Sequence, residues 1–167
     1  MPAKEICHFP DPILRKPCEP VRQFGAALEA LISDLAQTMK GQSHGIGIAA
    51  PQIGVAKQVA IVDVSARVPE AQRLILVNPK VLELTNERVN REGCMSLPDY
   101  TANLKRYDSV RLRWQDEKGE AHEGTFHGIE AICIQHEVDH LNGVLFIDRV
   151  ISLKRDMIPR TKSFKKP

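Results

Sequence analysis

Residues 128–143 read GIEAICIQHEVDHLNG, and this stretch decides the fold. The helical spacing of its apolar residues predicts an α-helix that begins near residue 128 and ends at Asn142-Gly143, a common stop signal. The polar face around Gln135 and Asp139 is expected to lie well away from the stripe that enters the core. That core-facing stripe contains Ile129, Ile132, Cys133, His136 and His140.

Two histidines on a core-facing stripe need a chemical reason. His136 and His140 are four residues apart, so both rings share one face of the helix and can reach the same metal ion. Glu137 lies between them, where its carboxylate is close to a water held by that ion. A helix with hydrogen-bonded core histidines is the structural alternative. The complete pattern inside a good helix favours the metal site.

A catalytic metal site needs a third protein ligand, whose identity separates classes of hydrolase. Phe146 occupies the position where one class of zinc peptidase has a third His, and no Glu follows Glu137 to serve another class. Cys133 is too far from His140, about 10 Å along the helix axis. Cys94, at an irregular point where a strand ends, is favoured. The other candidates that remain open are Cys7, His8, Cys18, His44, His122, His127, Asp148 and Asp156.

The remaining pattern predicts an α+β fold of mostly antiparallel strands packed around the central helix. A first helix follows the spacing of residues 28–39 and ends near Gly41. Short strands are predicted at 58–64 and 73–77, and a hairpin at 110–114 and 120–126. A last, short helix should run from about Ser152 to Pro159. The proline-rich residues 1–24 are expected to form an extended arm.

The chain of 167 residues is long enough for one domain, residues 1–167, with a proper core. Its four cysteines are too sparse for a disulfide scaffold, and no basic and apolar leader opens the sequence. The apolar runs are too short to span a membrane. These features predict a protein of the cytoplasm with reduced thiols.

The net charge of +2 hides an asymmetry. The C-terminal segment, residues 149–167, has seven basic residues and one acidic residue. Such a segment is compatible with a weak contact to a polyanion such as ribosomal RNA, although a solvated terminus is the simpler expectation. It has a single aromatic residue, so it offers no stacking platform for bases.

Residues 45–52 read GIGIAAPQ, in which glycines alternate with isoleucines before small residues. Such a segment lets another backbone approach closely, as a bound peptide strand would. It does not match a phosphate-binding loop, because no Lys-Ser or Lys-Thr pair follows it.

Residues 45–52, 92–96 and 135–140, in this order and spacing, resemble the three signature motifs of peptide deformylases. The similarity extends over essentially the whole chain to about residue 148. By this resemblance Cys94, His136 and His140 are the metal ligands and Glu137 is the catalytic acid and base. The Gln52 amide and the backbone N–H of Met95 would bind the developing oxyanion.

The resemblance also implies the substrate and the cofactor. The substrate is the N-formyl group on the initiator methionine of newly made chains, and formate is released. The implied cofactor is one divalent ion, natively Fe²⁺, which Zn²⁺, Ni²⁺ or Co²⁺ can replace in preparations. The implied substrate-binding residues are Gly45, Ile46, Gly47, Ile129 and Cys133. Asn90 and Thr101 are polar at positions that could border this pocket, which bears on substrate preference.

Two other functions compete with this reading. A metallopeptidase would share the metal and the Glu but would cleave internal amides, and the absence of a downstream His or Glu ligand weighs against it. A zinc-stapled binding domain should supply four protein ligands, whereas the sequence offers three and a Glu that structure alone does not require.

Overall fold

The computed structural model describes residues 3–43 and 45–160 of the chain. Its centre is an antiparallel sheet in the order β1-β2-β3-β4-β5, with β6 paired to β4. The strands are β1 (Gly47–Ala49), β2 (Val59–Val62), β3 (Leu74–Cys94), β4 (Leu97–Gln115), β5 (Ala121–His127) and β6 (Met157–Pro159). The helices are α1 (Ala26–Lys40), α2 (Gly128–Leu141) and α3 (Leu153–Asp156). The predicted α+β fold is confirmed.

The alternation of side chains along β2 explains why helices cover both faces of the sheet. Successive residues of a strand point to opposite faces. Val59 and Ile61 belong to the core cluster that includes Leu28 and Leu35 of α1. Ala60 and Val62 belong to a second core cluster, which includes residues of α2. None of the helices in the described residues is long and apolar enough to cross a membrane.

β3 and β4 form a long hairpin whose tip is the turn at Met95-Ser96. The sequence predicts that the first of these strands ends at residue 77 and that the second begins at residue 110. The structure corrects both bounds. In β3, residues 83–89 are all exposed, so this part of the strand has no burial alternation. In β4, Ala102, Leu104 and Arg106 are buried and alternate with more exposed residues, but one of the three is charged, which interrupts the apolar pattern. Cys94 nevertheless lies at the end of β3, where the sequence predicts the end of a strand.

The helix α2 is buried on nearly every side, including the polar face around Gln135 and Asp139. Gln135 and Asp139 are only 6% and 8% exposed. The Gln135 side chain donates to the carbonyl of Tyr107 at 2.7 Å and accepts from its N–H at 3.0 Å. The polar groups on this face therefore form hydrogen bonds with β4 rather than with water.

Both chain ends depart in part from the extended arm and the last helix that the sequence predicts. The arm contains one turn of 3-10 helix, Pro12–Arg15, although its Phe9 N–H bonds the carbonyl of Ser96 at the hairpin tip. The predicted last helix ends after one turn as α3, since β6 pairs with Tyr100–Ala102 of β4 instead. Of the basic C-terminal segment, residues 161–167 lie outside the described residues.

Candidate active site

Cys94, His136 and His140 converge at the point where the hairpin tip meets α2. One ligand atom from each lies within 4.8 Å of the other two. The Cys94 sulfur is 3.4 Å from Nε2 of His140. Cys94 and His140 are 5% and 1% exposed, so the cluster is almost removed from solvent. The end of one strand and one face of a helix thus supply the three candidate ligands.

The orientation of His136 is set by a buried carboxylate. Its Nδ1 lies 2.8 Å from Oε1 of Glu92, which can only accept, so this nitrogen carries the proton. The lone pair of Nε2 is consequently left for a ligand. Burial opposes ionisation of Glu92, yet hydrogen bonds from His136 and Arg106 lower its pKa to about 2.

Glu137 lies beside this group with an uncommitted oxygen. Its side chain is 3% exposed, and its Oε2 has no hydrogen-bond partner among the described residues. Burial raises the pKa of Glu137 to about 7. A methyl group on Gly47 would lie 2.6 Å from the Glu137 carboxylate, so only glycine lets β1 approach this closely. The carboxyl can therefore accept and return a proton in a water-poor setting.

The side-chain amide of Gln52 points toward Cys94. Its oxygen accepts from the backbone N–H of Ala49 at 3.0 Å, which fixes the orientation of the amide because that N–H can only donate. The NH₂ group accordingly faces Ser96 Oγ at 3.2 Å and the Cys94 sulfur at 3.7 Å. A donor is thus aimed at the space beside the cluster.

A cleft of about 810 Å³ opens over these groups. The free edge of β1 contributes to one side, and β3 contributes residues 90–93. Among the described strands, β3 pairs beyond Val77 with β4 alone, so its other edge is open. All the predicted substrate-binding residues line this cleft: Gly45, Ile46, Gly47, Ile129 and Cys133. Met95 and Asn90 line it as well, whereas Thr101 is not among the lining residues.

The sequence model of the polypeptide deformylase family matches residues 3–156. The chain belongs to the polypeptide deformylase family. Peptide deformylases are hydrolases that remove the formyl group from the N-terminal formylmethionine of new polypeptides. The predicted family and activity are therefore confirmed.

Individual peptide deformylases are similar to this chain over most of their length. The peptide deformylase of Bartonella tribocorum is 43% identical over 169 residues, which cover 99% of this chain and 93% of that protein. A crystal structure of a peptide deformylase from Legionella pneumophila has a TM-score of 0.85 at 37% identity, covering 92% of this chain and 89% of that chain. The Met-Ala-Ser-bound class I type b peptide deformylase of Acinetobacter baumannii has a TM-score of 0.82 at 33% identity, with 89% and 98% covered.

The donor set fits the divalent ion that a deformylase requires. Two imidazoles and a thiolate suit borderline and soft divalent ions, and three protein ligands leave room for a reacting molecule. The buried Nδ1 of His140 has no partner among the described residues, and its ring is held beside a thiol without a strong hydrogen bond. Of the third-ligand candidates within the described residues, only Cys94 joins the two histidines, and His44 lies outside them.

Sequence reasoning missed the support behind the ligands. The buried guanidinium of Arg106 donates to both oxygens of Glu92, at 2.7 and 2.9 Å, and to Asp139 at 2.6 Å. Arg149 donates twice to Asp139, at 2.6 and 2.7 Å. Glu92 and Asp139 lie inside the recognised motifs, so their positions could have signalled a role. Arg106 is an isolated cation on a strand, and no pattern in the sequence identifies it.

Proposed function

We propose that Cys94, His136 and His140 hold one divalent ion and that Glu137 transfers the protons of deformylation. The observation that carries this proposal is the convergence of the three ligand atoms within 4.8 Å, beside a buried carboxylate with a free oxygen. The ion, when bound, acts as a Lewis acid and lowers the pKa of water. The native ion is Fe²⁺ by family resemblance, and the same donors accept Zn²⁺, Ni²⁺ or Co²⁺.

Glu137 is the proton carrier of this proposal. Its carboxylate takes a proton from the attacking water and returns it to the nitrogen of the leaving amine. Two features support this role, namely the free Oε2 and its position between the two histidines on α2. Burial at 3% exposure keeps bulk water from competing for the proton.

Gln52 and Met95 stabilise the negative charge that develops on the formyl oxygen. The Gln52 NH₂ is directed toward the Cys94 sulfur by the hydrogen bond from Ala49 to its oxygen. Met95 follows Cys94 directly and lines the cleft, and its backbone N–H is the second proposed donor. Preorganised donors of this kind act where charge forms in the transition state.

The formylmethionyl chain lies as an added strand between the open edges of β1 and β3. Backbone hydrogen bonds along such edges bind a peptide without reading its sequence. Ile46, Ile129 and Cys133 provide an apolar pocket for the methionine side chain. The bound Met-Ala-Ser in the related Acinetobacter baumannii enzyme supports a peptide ligand of this length.

The cytoplasm is the proposed compartment, in keeping with four free cysteines in the structure. New polypeptide chains are the proposed partners. A weak contact of residues 149–167 with ribosomal RNA stays a prediction, since residues 161–167 lie outside the described part of the chain.

One experiment tests the residue assignments together with the reaction. Protein purified without oxygen is analysed for bound metal and is then incubated with a formyl-Met peptide that also contains internal amides. We expect about one metal per chain, release of formate and no internal cleavage. Internal cleavage would identify a metallopeptidase, and bound metal without either reaction would identify a binding module.

A further inference from the structure

Basic residues outnumber acidic residues at the mouth of the cleft. Glu5 is the one exposed acidic residue among the described residues that line it, because Glu92 and Glu137 are buried inside. The cationic residues of the lining are Lys4, Arg67, Arg88, Arg91 and Arg160.

Three of these cations have no acidic partner within the described residues. Arg88 is paired with Asp108 at 2.8 Å, and Lys4 lies 3.8 Å from Asp34. Arg91 donates only to the hydroxyl of Thr101, at 3.0 Å.

For Arg67 and Arg160, no carboxylate lies within 4.0 Å of the guanidinium in the described part of the chain. We call Arg67, Arg91 and Arg160 the free arginines.

Arg160 reaches the cleft through the C-terminal strand. β6 pairs with β4, and the Arg160 N–H bonds the carbonyl of Asp99 at 2.8 Å. Its guanidinium lies against Gly93, where a Cβ would collide with it. Gly93 precedes Cys94 at the open edge of β3. Arg160 lies four residues beyond Asp156, where the match to the family model ends.

We propose that the free arginines select substrates that have acidic side chains shortly after the formylmethionine. This inference rests on the proposed function, because it requires the substrate strand between β1 and β3. A chain whose formyl group lies at Cys94 and which continues along the β3 edge passes Gly93 and then Arg91. Arg160 flanks the same edge, and Arg67 lines the same cleft from the loop after β2.

The chemistry of the three side chains favours a carboxylate partner. A guanidinium is always charged and presents paired donors that match the two oxygens of a carboxylate. Each exposed pair is expected to change kcat/KM by roughly two- to fivefold, and salt should weaken the effect. The effects of several acidic residues in one substrate should combine, so the preference for acidic over neutral substrates should be large enough to measure.

The test compares three amidated peptides: formyl-Met-Ala-Glu-Glu, formyl-Met-Ala-Gln-Gln and formyl-Met-Ala-Lys-Lys. Formate release by the metal-loaded full chain should give kcat/KM in the order Glu, Gln, Lys. The difference should lie mainly in KM and should shrink in high salt. Equal kcat/KM for the three peptides overturns the inference, whereas failure to deformylate any of them overturns the proposed function instead.

Single variants locate the effect. Arg67→Gln, Arg91→Gln and Arg160→Gln should each lower the Glu-to-Gln ratio of kcat/KM by roughly two- to fivefold. Arg22→Gln removes the same charge from an exposed position outside the cleft and should leave the ratio unchanged. An equal fall of the ratio in Arg22→Gln would assign the preference to net charge and overturn the inference. Equal rates on all peptides together with inhibition by a short oligouridylate would assign the arginines to RNA.

Discussion

Nδ1 of His136 donates a 2.8 Å hydrogen bond to Glu92, joining the hairpin tip to the buried helix α2. Arg106 holds the other side of the same carboxylate, so Glu92 cannot turn away from the imidazole. The ligand ring is consequently oriented by a carboxylate that is itself fully paired. Such support behind a metal ligand tunes both its direction and its basicity.

Glu92→Gln is expected to weaken metal binding by about 10- to 100-fold, because the amide removes the charge that supports His136 and leaves Arg106 incompletely paired. The measurement is a metal competition titration with a chelator of known affinity. Glu87→Gln is the matched control, since Glu87 lies on the same strand in an exposed pair with Lys105. Unchanged metal affinity in the Glu92 variant would exclude this supporting role.

Glu137→Gln should keep the fold and the metal and lower kcat by about 10²-fold or more, because only proton transfer is lost. Metal content and formate release are measured on the same sample. Near-normal turnover in a fully loaded variant would remove Glu137 from the mechanism.

Gln52→Leu should lose about 2–4 kcal/mol of transition-state stabilisation, seen as a fall in kcat/KM at unchanged metal content. The reason is the loss of an NH₂ donor whose direction is fixed by Ala49. A parallel loss of metal would show that Gln52 holds the site together instead.

Gly47→Ala should reduce both stability and activity. The added methyl would lie 2.6 Å from the Glu137 carboxylate and 2.7 Å from the Cys133 sulfur, so one of these side chains must move. We expect a loss of about 1–3 kcal/mol in the free energy of unfolding, measured by urea denaturation, together with a lower kcat. Gly25→Ala is the control, because a Cβ there meets nothing within 4 Å. Equal effects of the two substitutions would contradict the steric argument.

Peroxide should inactivate the ferrous protein rapidly and add oxygen to Cys94 before the other cysteines. A metal ligand is held as a thiolate, which is the form that oxidises. Burial raises the pKa of Cys7, and it raises the pKa of Cys18 to about 11, so both remain thiols. Replacing iron with nickel or zinc should slow the loss. Mass spectrometry locates the oxygen, and modification of another cysteine with Cys94 intact would refute the assignment.

The sequence by itself determined the helix, the motif and the family. The spacing of His136, Glu137 and His140 is local, because five consecutive residues of one helix define it without reference to any other element. Cys94 could be favoured strongly as a ligand only through the family resemblance. Its position at the end of a strand does not show which residues of other elements lie near it. The strands at 59–62 and 74–77 were visible because their apolar residues are buried by both layers.

Only the tertiary structure decided the surroundings of the site. Pairing of β3 with β4 places Arg106 opposite Arg88, from where its guanidinium reaches Glu92. Packing against α2 adds Asp139, which is 33 residues away in sequence from Arg106. Pairing of β6 with β4 likewise carries Arg160 to the edge beside Gly93. Contacts between residues so far apart depend on strand register and helix packing, and a local periodicity contains neither. The tertiary structure therefore determines which groups orient the ligands and which basic residues surround the mouth of the cleft. The identity of the ligands themselves could be predicted from the sequence.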